Sequence, residues 1–175
     1  LHDFGSYIYN TNPTSDYDDG LTNNCVVYNN DDAYQTVDAP GEKRSDAHTL
    51  IRLKTPVVTL ATMPDVEMKG KVVLAPHFVS YCTNMRKFNF PTIHDIKAVS
   101  RRVDFPYFAC PTKESSANGM DDILLRTLGT RDDKYEYVEL HAWDFVQGAK
   151  MKDEECKRLG IPSKTTIPEL FQLIK

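Results

Sequence analysis

The sequence contains no apolar run that approaches the roughly 20 residues of a bilayer span, and its longest stretches are as short as Val72-Val73-Leu74. It also contains no fixed-period repeat, which excludes collagen-like and repeat architectures. No glycine-rich phosphate loop is present, and this absence disfavours nucleotide enzymes. The five histidines show no i,i+4 or H-x-H pairing, so we predict no metal site and no cofactor.

The four cysteines, Cys25, Cys82, Cys110 and Cys156, are too widely spaced for a zinc site or a secreted disulfide framework. Asn-x-Ser/Thr occurs only at residues 12–14, where the central proline blocks glycosylation, and this disfavours the secretory route. The sequence does not begin with Met. We leave the compartment open, with an organellar (mitochondrial) location after removal of a targeting peptide as one expectation.

Charge is distributed unevenly along the chain. Residues 1–42 hold eight acidic side chains and no Lys or Arg, whereas residues 43–175 hold all 21 basic side chains and the remaining 17 of the 25 acidic ones. The front segment therefore carries a formal charge of −8 and the remainder +4. We divide the chain into an acidic Asn/Asp/Tyr-rich arm, residues 1–49, and an α/β domain, residues 50–175.

The arm is predicted to contact a partner. Disordered acidic tails are usually poor in aromatic residues, yet this segment contains five tyrosines that could serve as binding residues: Tyr7, Tyr9, Tyr17, Tyr28 and Tyr34. The partner would be a protein subunit of a larger complex with a basic surface, and the alternative is that the arm folds back on its own basic body. Strong nucleic-acid binding is not expected, because no dense stripe of Lys and Arg occurs.

Hydrophobic periodicity predicts strands that alternate with short helices. Strands are expected at residues 25–28, 50–53, 57–60, 71–79, 103–110 and 135–146, and helices at 92–102, 121–128, 151–159 and from 166 onward. Gly129 and Gly160 are placed to end two of these helices, and Thr166-Ile167-Pro168-Glu169 is a capping-box signature that opens the last one. This alternation favours an α/β sandwich.

The segment Lys69-Gly70-Lys71-Val72-Val73-Leu74 leads to Phe78, Ser80, Cys82 and Arg86. It resembles the entry to a thioredoxin-like domain of the thiol–disulfide oxidoreductase and peroxiredoxin type. The resemblance implies a three-layer sandwich with Cys82 at a strand-to-helix junction. A helix N-terminus favours thiolate, and Arg86 would add to that effect.

The dithiol members of that family carry a second cysteine three residues after the first, where this chain has Met85. A mixed disulfide could not be resolved at that position. We therefore expect a redox-inactive, non-catalytic accessory or interaction subunit of a larger assembly, and lean towards a protein that is not an enzyme. The first alternative is a one-cysteine thiol oxidoreductase or peroxidase that uses Cys82 and Arg86.

The second alternative is a hydrolase or acyltransferase. His141-Ala142-Trp143 lies 31 residues after Cys110 and is similar to the cysteine–histidine core of transglutaminase-like hydrolases. The similarity implies that Cys110 is the nucleophile, that His141 takes its proton and that Asp153 orients the imidazole ring.

Overall fold

The computed structural model describes residues 7–12, 15–35, 45–112 and 138–174. The chain divides into two compact units, Leu1–Arg102 and Val103–Lys175. We call them unit 1 and unit 2. No helix within the described ranges is long and apolar enough to cross a membrane.

Unit 1 contains a three-stranded parallel sheet of order β1-β2-β3 and two short helices. The strands are β1 (Ile8–Asn10), β2 (Val27–Asn30) and β3 (Phe78–Tyr81), and the helices are α1 (Asp46–Leu53) and α2 (Lys97–Ser100). Tyr28 pairs with Tyr9 on one side and Val79 on the other. Because all three strands run in the same direction, their carboxyl ends meet at one edge of the sheet.

The core of unit 1 draws on both the acidic segment and the chain beyond it. Tyr28 is fully buried, and its ring centroid lies 5.2 Å from that of Tyr9. An isolated antiparallel bridge joins Leu60 to Val73. The apolar residues beside this bridge, Ala61, Met63, Val72 and Leu74, belong to the same core. The buried members of this core are Tyr9, Leu21, Tyr28, Ala61, Met63, Val72 and Leu74. The predicted arm, residues 1–49, thus contributes two strands and three core side chains to unit 1.

Three predicted strands of unit 1 differ from those in the structure. Residues 50–53 belong to α1, which buries Ala47 and Leu50 one turn apart. Of the predicted strand 71–79 only residues 78 and 79 lie in β3, which continues to Tyr81, since Pro76 lacks the N–H that a continuous ladder needs. At 57–60 only the Leu60 bridge forms.

The predicted helix at 92–102 is also shorter, because α2 covers only four residues. Between β3 and α2 the chain is irregular and contains no helical turn at Cys82. Phe88 and Phe90 are both buried, and this two-residue period belongs to extended chain and not to a helix. The prediction that a helix begins at Cys82 is therefore wrong.

Unit 2 is built on an antiparallel sheet with β5 at its centre. The elements within its described residues are β4 (Tyr107–Pro111), β5 (Val138–Asp144), β6 (Ala149–Lys150), α3 (Asp153–Leu159), β7 (Lys164–Thr165) and α4 (Ile167–Leu173). Strand β5 pairs with β4 along one side and with β6 and β7 along the other. A small core contains the buried residues Ala142, Cys156 and Ile161.

The local signals in unit 2 are confirmed. Gly160 ends α3 with φ +69°, a left-handed conformation that a residue with a Cβ adopts less readily. The Thr166 side chain accepts from the backbone N–H of Glu169, and the Glu169 carboxylate accepts from the backbone N–H of Thr166. The helix predicted at 121–128 and its Gly129 lie outside the described residues. The prediction of a mixed α/β fold is confirmed, with one parallel and one antiparallel sheet.

Candidate functional site

The candidate site is the carboxyl edge of the parallel sheet in unit 1. Ligands of open parallel sheets bind outside the carboxyl ends of the strands. Thr11 follows β1, Asp31 and Asp32 follow β2, and Cys82 to Asn84 follow β3. We call this set, together with Asn30, the carboxyl edge.

Asn30, the last residue of β2, holds the carboxyl edge together. Asn30 is buried, with 1% of its surface exposed. Its side chain makes hydrogen bonds through both the amide oxygen and the amide nitrogen. The Thr11 hydroxyl donates to Asn30 Oδ1 at 3.0 Å, and Asn30 Nδ2 donates to Asp46 Oδ1 at 2.9 Å. The backbone N–H of Cys82 donates to the Asn30 carbonyl at 2.9 Å. The side chain and the backbone carbonyl of Asn30 therefore connect three strand ends and the first residue of α1.

Asp46 fixes the turn that follows β2. Its second oxygen, Oδ2, accepts from the backbone N–H of Tyr34 at 2.8 Å. Asp32 and Tyr34 have positive φ angles of 55° and 64°, which are uncommon for residues other than glycine and are found preferentially at functional sites. The N–H of Ala33 donates to the Cys82 carbonyl at 2.7 Å, which holds this turn against the end of β3.

The turn presents two adjacent carboxylates to solvent. Asp31 and Asp32 are both exposed, and the N–H of Asp32 donates to Asp31 Oδ1 at 3.2 Å. Their negative charges act on the thiol of Cys82, which follows the neighbouring strand β3. Partial burial and then the charge of Asp31 raise the pKa of the Cys82 thiol, Asp32 adds to the increase, and a hydrogen bond with Ser80 opposes it.

The two predicted catalytic residues lie close in sequence but in irregular chain. Cys82 and Arg86 both follow β3, and no helix begins at either residue to stabilise a thiolate. The pKa of Cys82 moves upward, in the direction opposite to that expected from the thioredoxin-like resemblance. At neutral pH the thiol is protonated and therefore a weak nucleophile.

The five tyrosines that were predicted as binding residues have different environments. Tyr9 and Tyr28 are buried in the core of unit 1, whereas Tyr7 and Tyr17 are exposed. Tyr34 is partly buried in an aromatic cluster, with ring centroids 5.7, 5.6 and 4.8 Å from those of Tyr81, Phe88 and Phe90. Burial raises the pKa of Tyr34 and of Tyr81 above their ordinary values, so both phenols stay neutral.

The Cys110–His141 pair lies in unit 2, on neighbouring strands. Cys110 is opposite Glu139, and His141 is opposite Phe108. The His141 Nε2 atom is 3.5 Å from Glu139 Oε2, so Glu139 is a carboxylate within ion-pair distance of the imidazole. Asp153 is the first residue of α3.

The comparisons with known proteins concern unit 1. A family model described as RNA helicase matches residues 2–85, which is 84 of the 175 residues and includes all three parallel strands and α1. No curated protein matches the chain.

This match corrects the thioredoxin-like prediction. It covers Gly70 to Met85, the same residues on which that resemblance depended, and assigns them to a different class. The accessory-subunit function and the redox-inactive description derived from the resemblance are therefore wrong, and so are the thiol oxidoreductase and hydrolase alternatives. The twenty-residue similarity reflected a short apolar strand followed by a serine and a cysteine, a pattern that many α/β proteins can share.

Sequence reasoning missed the central residues of the carboxyl edge. Asn30, Asp31, Asp32 and Asp46 were assigned to an acidic arm, residues 1–49, that was predicted to contact a partner. The available signal was the short apolar run 25–28 followed at once by polar and acidic residues, as at the end of a buried parallel strand.

The carboxyl edge suits a divalent cation bound together with a nucleotide. Among the described residues no group of three or more His, Cys, Asp or Glu side chains could hold a metal by itself. Mg²⁺ in nucleotide sites is usually bound through only one or two carboxylates, with phosphate oxygens and water completing the shell. The exposed pair Asp31 and Asp32, whose charge raises the Cys82 pKa, fits that requirement.

Proposed function

We propose that unit 1 carries the metal-binding edge of the nucleotide site of an RNA helicase, with RNA and a magnesium–nucleoside triphosphate as its substrates. The match of the RNA helicase model to residues 2–85 carries this proposal. Mg²⁺, when bound, would neutralise charge that develops on the transferred phosphoryl group.

Asp31 and Asp32 would hold the cation. They stand at the point where a parallel sheet places its ligand, and both carboxylates face solvent. In P-loop nucleoside triphosphatases the corresponding strand-end Asp holds Mg²⁺. The Asp46 and Asn30 side chains act as positioning groups, since they fix the turn that presents the two carboxylates.

The 175 residues contain no G-x-x-x-x-G-K-[ST] sequence, the loop whose backbone N–H groups surround the phosphates in this class. What these residues supply is the acidic edge, together with a polar strand end at Thr83 and Asn84.

Substitution of both carboxylates tests the proposal. In Asp31→Asn/Asp32→Asn the side-chain shapes and the Oδ1 acceptor remain, while the two charges that would bind the cation are removed. We expect Mn²⁺ binding, measured by water proton relaxation in the presence of ATP, to weaken at least about tenfold. RNA-stimulated ATP hydrolysis should fall by a similar factor or more.

The matched control is Asp19→Asn, an exposed aspartate that precedes Gly20 in the connection between β1 and β2. It should leave both measurements unchanged. Equal cation binding by the double variant and the unsubstituted protein would reject the assignment, and absence of any ATP- or RNA-dependent activity would reject the helicase function.

A further inference from the structure

Tyr34 adopts a backbone conformation that its side chain disfavours. Its φ angle is 64°, in the left-handed region. Asp32 shares that region with a φ angle of 55°, but aspartate tolerates it better because its short polar side chain can bond to nearby backbone groups. A bulky residue persists there only where its surroundings hold it, and such residues cluster at functional sites. The turn that carries Asp31 and Asp32 therefore depends on what restrains Tyr34.

Two backbone hydrogen bonds hold this turn in place. The N–H of Tyr34 donates to Asp46 Oδ2 at 2.8 Å, and the N–H of Ala33 donates to the Cys82 carbonyl at 2.7 Å. Ala33 is fully buried, so the turn lies against the body of unit 1 at this residue. These bonds fix the backbone, and the side chain of Tyr34 supplies a third anchor.

The third anchor is the aromatic cluster of Tyr34, Tyr81, Phe88 and Phe90. The ring centroid of Tyr34 lies 4.8 Å from that of Phe90 and 5.6 Å from that of Phe88, and the two phenylalanine rings are 5.2 Å apart. These distances fall within the range of about 4.5–7 Å at which inclined aromatic rings attract one another. The Tyr81 hydroxyl, at the end of β3, donates to the Asp46 carbonyl at 3.4 Å. Packing thus ties Tyr34 to the end of β3 and to the chain that follows it.

The cluster excludes water from the ring of Tyr34. Phe88 and Phe90 have only 6% and 5% of their surfaces exposed. A change of φ at Tyr34 would swing its ring away from these partners and expose apolar surface of all three rings. Burial of the ring therefore opposes relaxation of the backbone to an ordinary φ angle.

We propose that Tyr34 is a positioning residue for cation binding, and that the packing of its ring on Phe88 and Phe90 holds the turn that presents Asp31 and Asp32. The role rests on the proposed function, because the two aspartates are its cation ligands. Ligands that are already ordered bind more tightly, since binding does not have to order them. Cation affinity then depends on the chain after β3, although that chain supplies no carboxylate to the cation.

Tyr34→Gly separates the ring from the backbone. Glycine adopts a left-handed conformation without strain, so the turn can still form but has no ring to hold it. We expect Mn²⁺ binding by the full chain in the presence of ATP, measured by water proton relaxation, to weaken about tenfold. Tyr34→Phe keeps the ring and should bind Mn²⁺ as tightly as the unsubstituted protein.

The Mg²⁺ dependence of RNA-stimulated ATP hydrolysis distinguishes positioning from general damage. In Tyr34→Gly the Mg²⁺ concentration that gives half the maximal rate should rise about tenfold, by the same factor as the loss of Mn²⁺ affinity. The maximal rate at saturating Mg²⁺ should stay the same, because the bound cation is held by the same two carboxylates. A loss of folded protein would instead lower the rate at every Mg²⁺ concentration.

Phe90→Leu tests the cluster from its far side, since it removes the ring nearest to Tyr34 and leaves the turn itself unchanged. It should also weaken Mn²⁺ binding, and it should add nothing in the Tyr34→Gly background, where its packing partner is already gone. The matched control is Met63→Ala, at a buried residue in the core of unit 1. It should lower the stability of unit 1 and leave Mn²⁺ affinity unchanged.

Two results would overturn the positioning role alone. One is equal Mn²⁺ affinity in Tyr34→Gly and the unsubstituted protein while Asp31→Asn/Asp32→Asn binds more weakly. The other is a loss of affinity in Met63→Ala as large as that in Tyr34→Gly, because the effect would then be one of stability.

Failure of the proposed function gives a different pattern, in which the unsubstituted protein neither binds Mn²⁺ nor hydrolyses ATP. The role of Tyr34 in cation binding then falls with it. Amide hydrogen exchange at Ala33 and Tyr34 measures the packing separately, since both N–H groups are bonded within the turn. Faster exchange in Phe90→Leu than in Met63→Ala supports the anchor, and equal exchange in the two variants rejects it.

Discussion

At the scale of single residues, Cys82 shows how position alone changes the chemistry of a side chain. At a helix N-terminus its thiol would ionise easily. At the end of β3 it instead lies near the Asp31 carboxylate, which with partial burial raises its pKa. Its backbone carries the structural role, since the Cys82 carbonyl and N–H bond to Ala33 and Asn30.

The pH at which Cys82 ionises therefore tests whether Asp31 and Asp32 lie beside it at the carboxyl edge. Its rate of alkylation by iodoacetamide should increase with pH with a midpoint above the ordinary cysteine value of about 8.5. In Asp31→Asn/Asp32→Asn the midpoint should fall, because removal of nearby negative charge favours the thiolate. Peptide mass spectrometry distinguishes Cys82 from the other three cysteines.

Cys25 is the internal control for this measurement. Burial raises the pKa of Cys25, and a hydrogen bond with the Tyr9 backbone lowers it, but neither aspartate contributes. Its midpoint should be the same in both proteins. A Cys82 midpoint well below 8.5, or one that ignores the two substitutions, would contradict the placement of these charges beside β3.

At the scale of elements, the helices differ in how their first turns are capped. In α4 the Thr166 side chain and the Glu169 carboxylate satisfy backbone N–H groups reciprocally. In α1 the N-cap residue Ser45 makes no side-chain capping bond. The hydroxyl residue at the N-cap therefore contributes to helix stability in α4 through a capping hydrogen bond and does not do so in α1.

Thr166→Ala should lower the free energy of unfolding of unit 2 by about 1 kcal/mol, since one N–H of the first turn of α4 loses its partner. Urea unfolding followed by the fluorescence of Trp143 measures this change. Ser45→Ala, in unit 1, is the matched control; followed by circular dichroism in urea, because Trp143 lies in unit 2, it should change stability by less than about 0.5 kcal/mol. A cost for Ser45→Ala equal to that for Thr166→Ala would refute the difference in capping.

The same capping box makes the stability of unit 2 depend on pH in the acid range. Hydrogen bonds from Thr166 lower the pKa of Glu169 below its ordinary value. A carboxyl group with a lowered folded-state pKa stabilises the protein at pH values above its unfolded pKa, about 4.3, and loses that contribution as the pH falls through the folded pKa. The difference in stability between Glu169→Gln and the unsubstituted protein should therefore shrink in acid.

At the scale of the whole molecule, the acidic front segment is part of unit 1 and not an appendage of it. β1 pairs with β2 and β2 pairs with β3, and Tyr9, Leu21 and Tyr28 share a core with residues from 61–74. A charge of −8 in this segment does not keep it in solvent, because burial of its apolar side chains opposes the repulsion.

The substitution Tyr28→Ala tests whether the acidic front segment is part of the core of unit 1. Loss of a fully buried aromatic ring should destabilise unit 1 by about 3–5 kcal/mol. Circular dichroism in urea reports the change. Tyr7→Ala, at an exposed tyrosine just before β1, should cost less than about 0.5 kcal/mol. If both substitutions were equally mild, residues 7–30 would be a solvated arm after all.

The sequence by itself determined the local features of this protein: the left-handed Gly160 after α3, the capping box of α4, and the strand that became β5. These depend on residues a few positions apart, where backbone sterics and adjacent hydrogen-bond groups act without help from the rest of the chain. Only the tertiary structure decided that β1, β2 and β3 run parallel, and that Asn30, Asp31 and Cys82 share one edge. That arrangement joins residues about 50 positions apart, and its stability comes from non-local burial, which no short pattern in the sequence encodes.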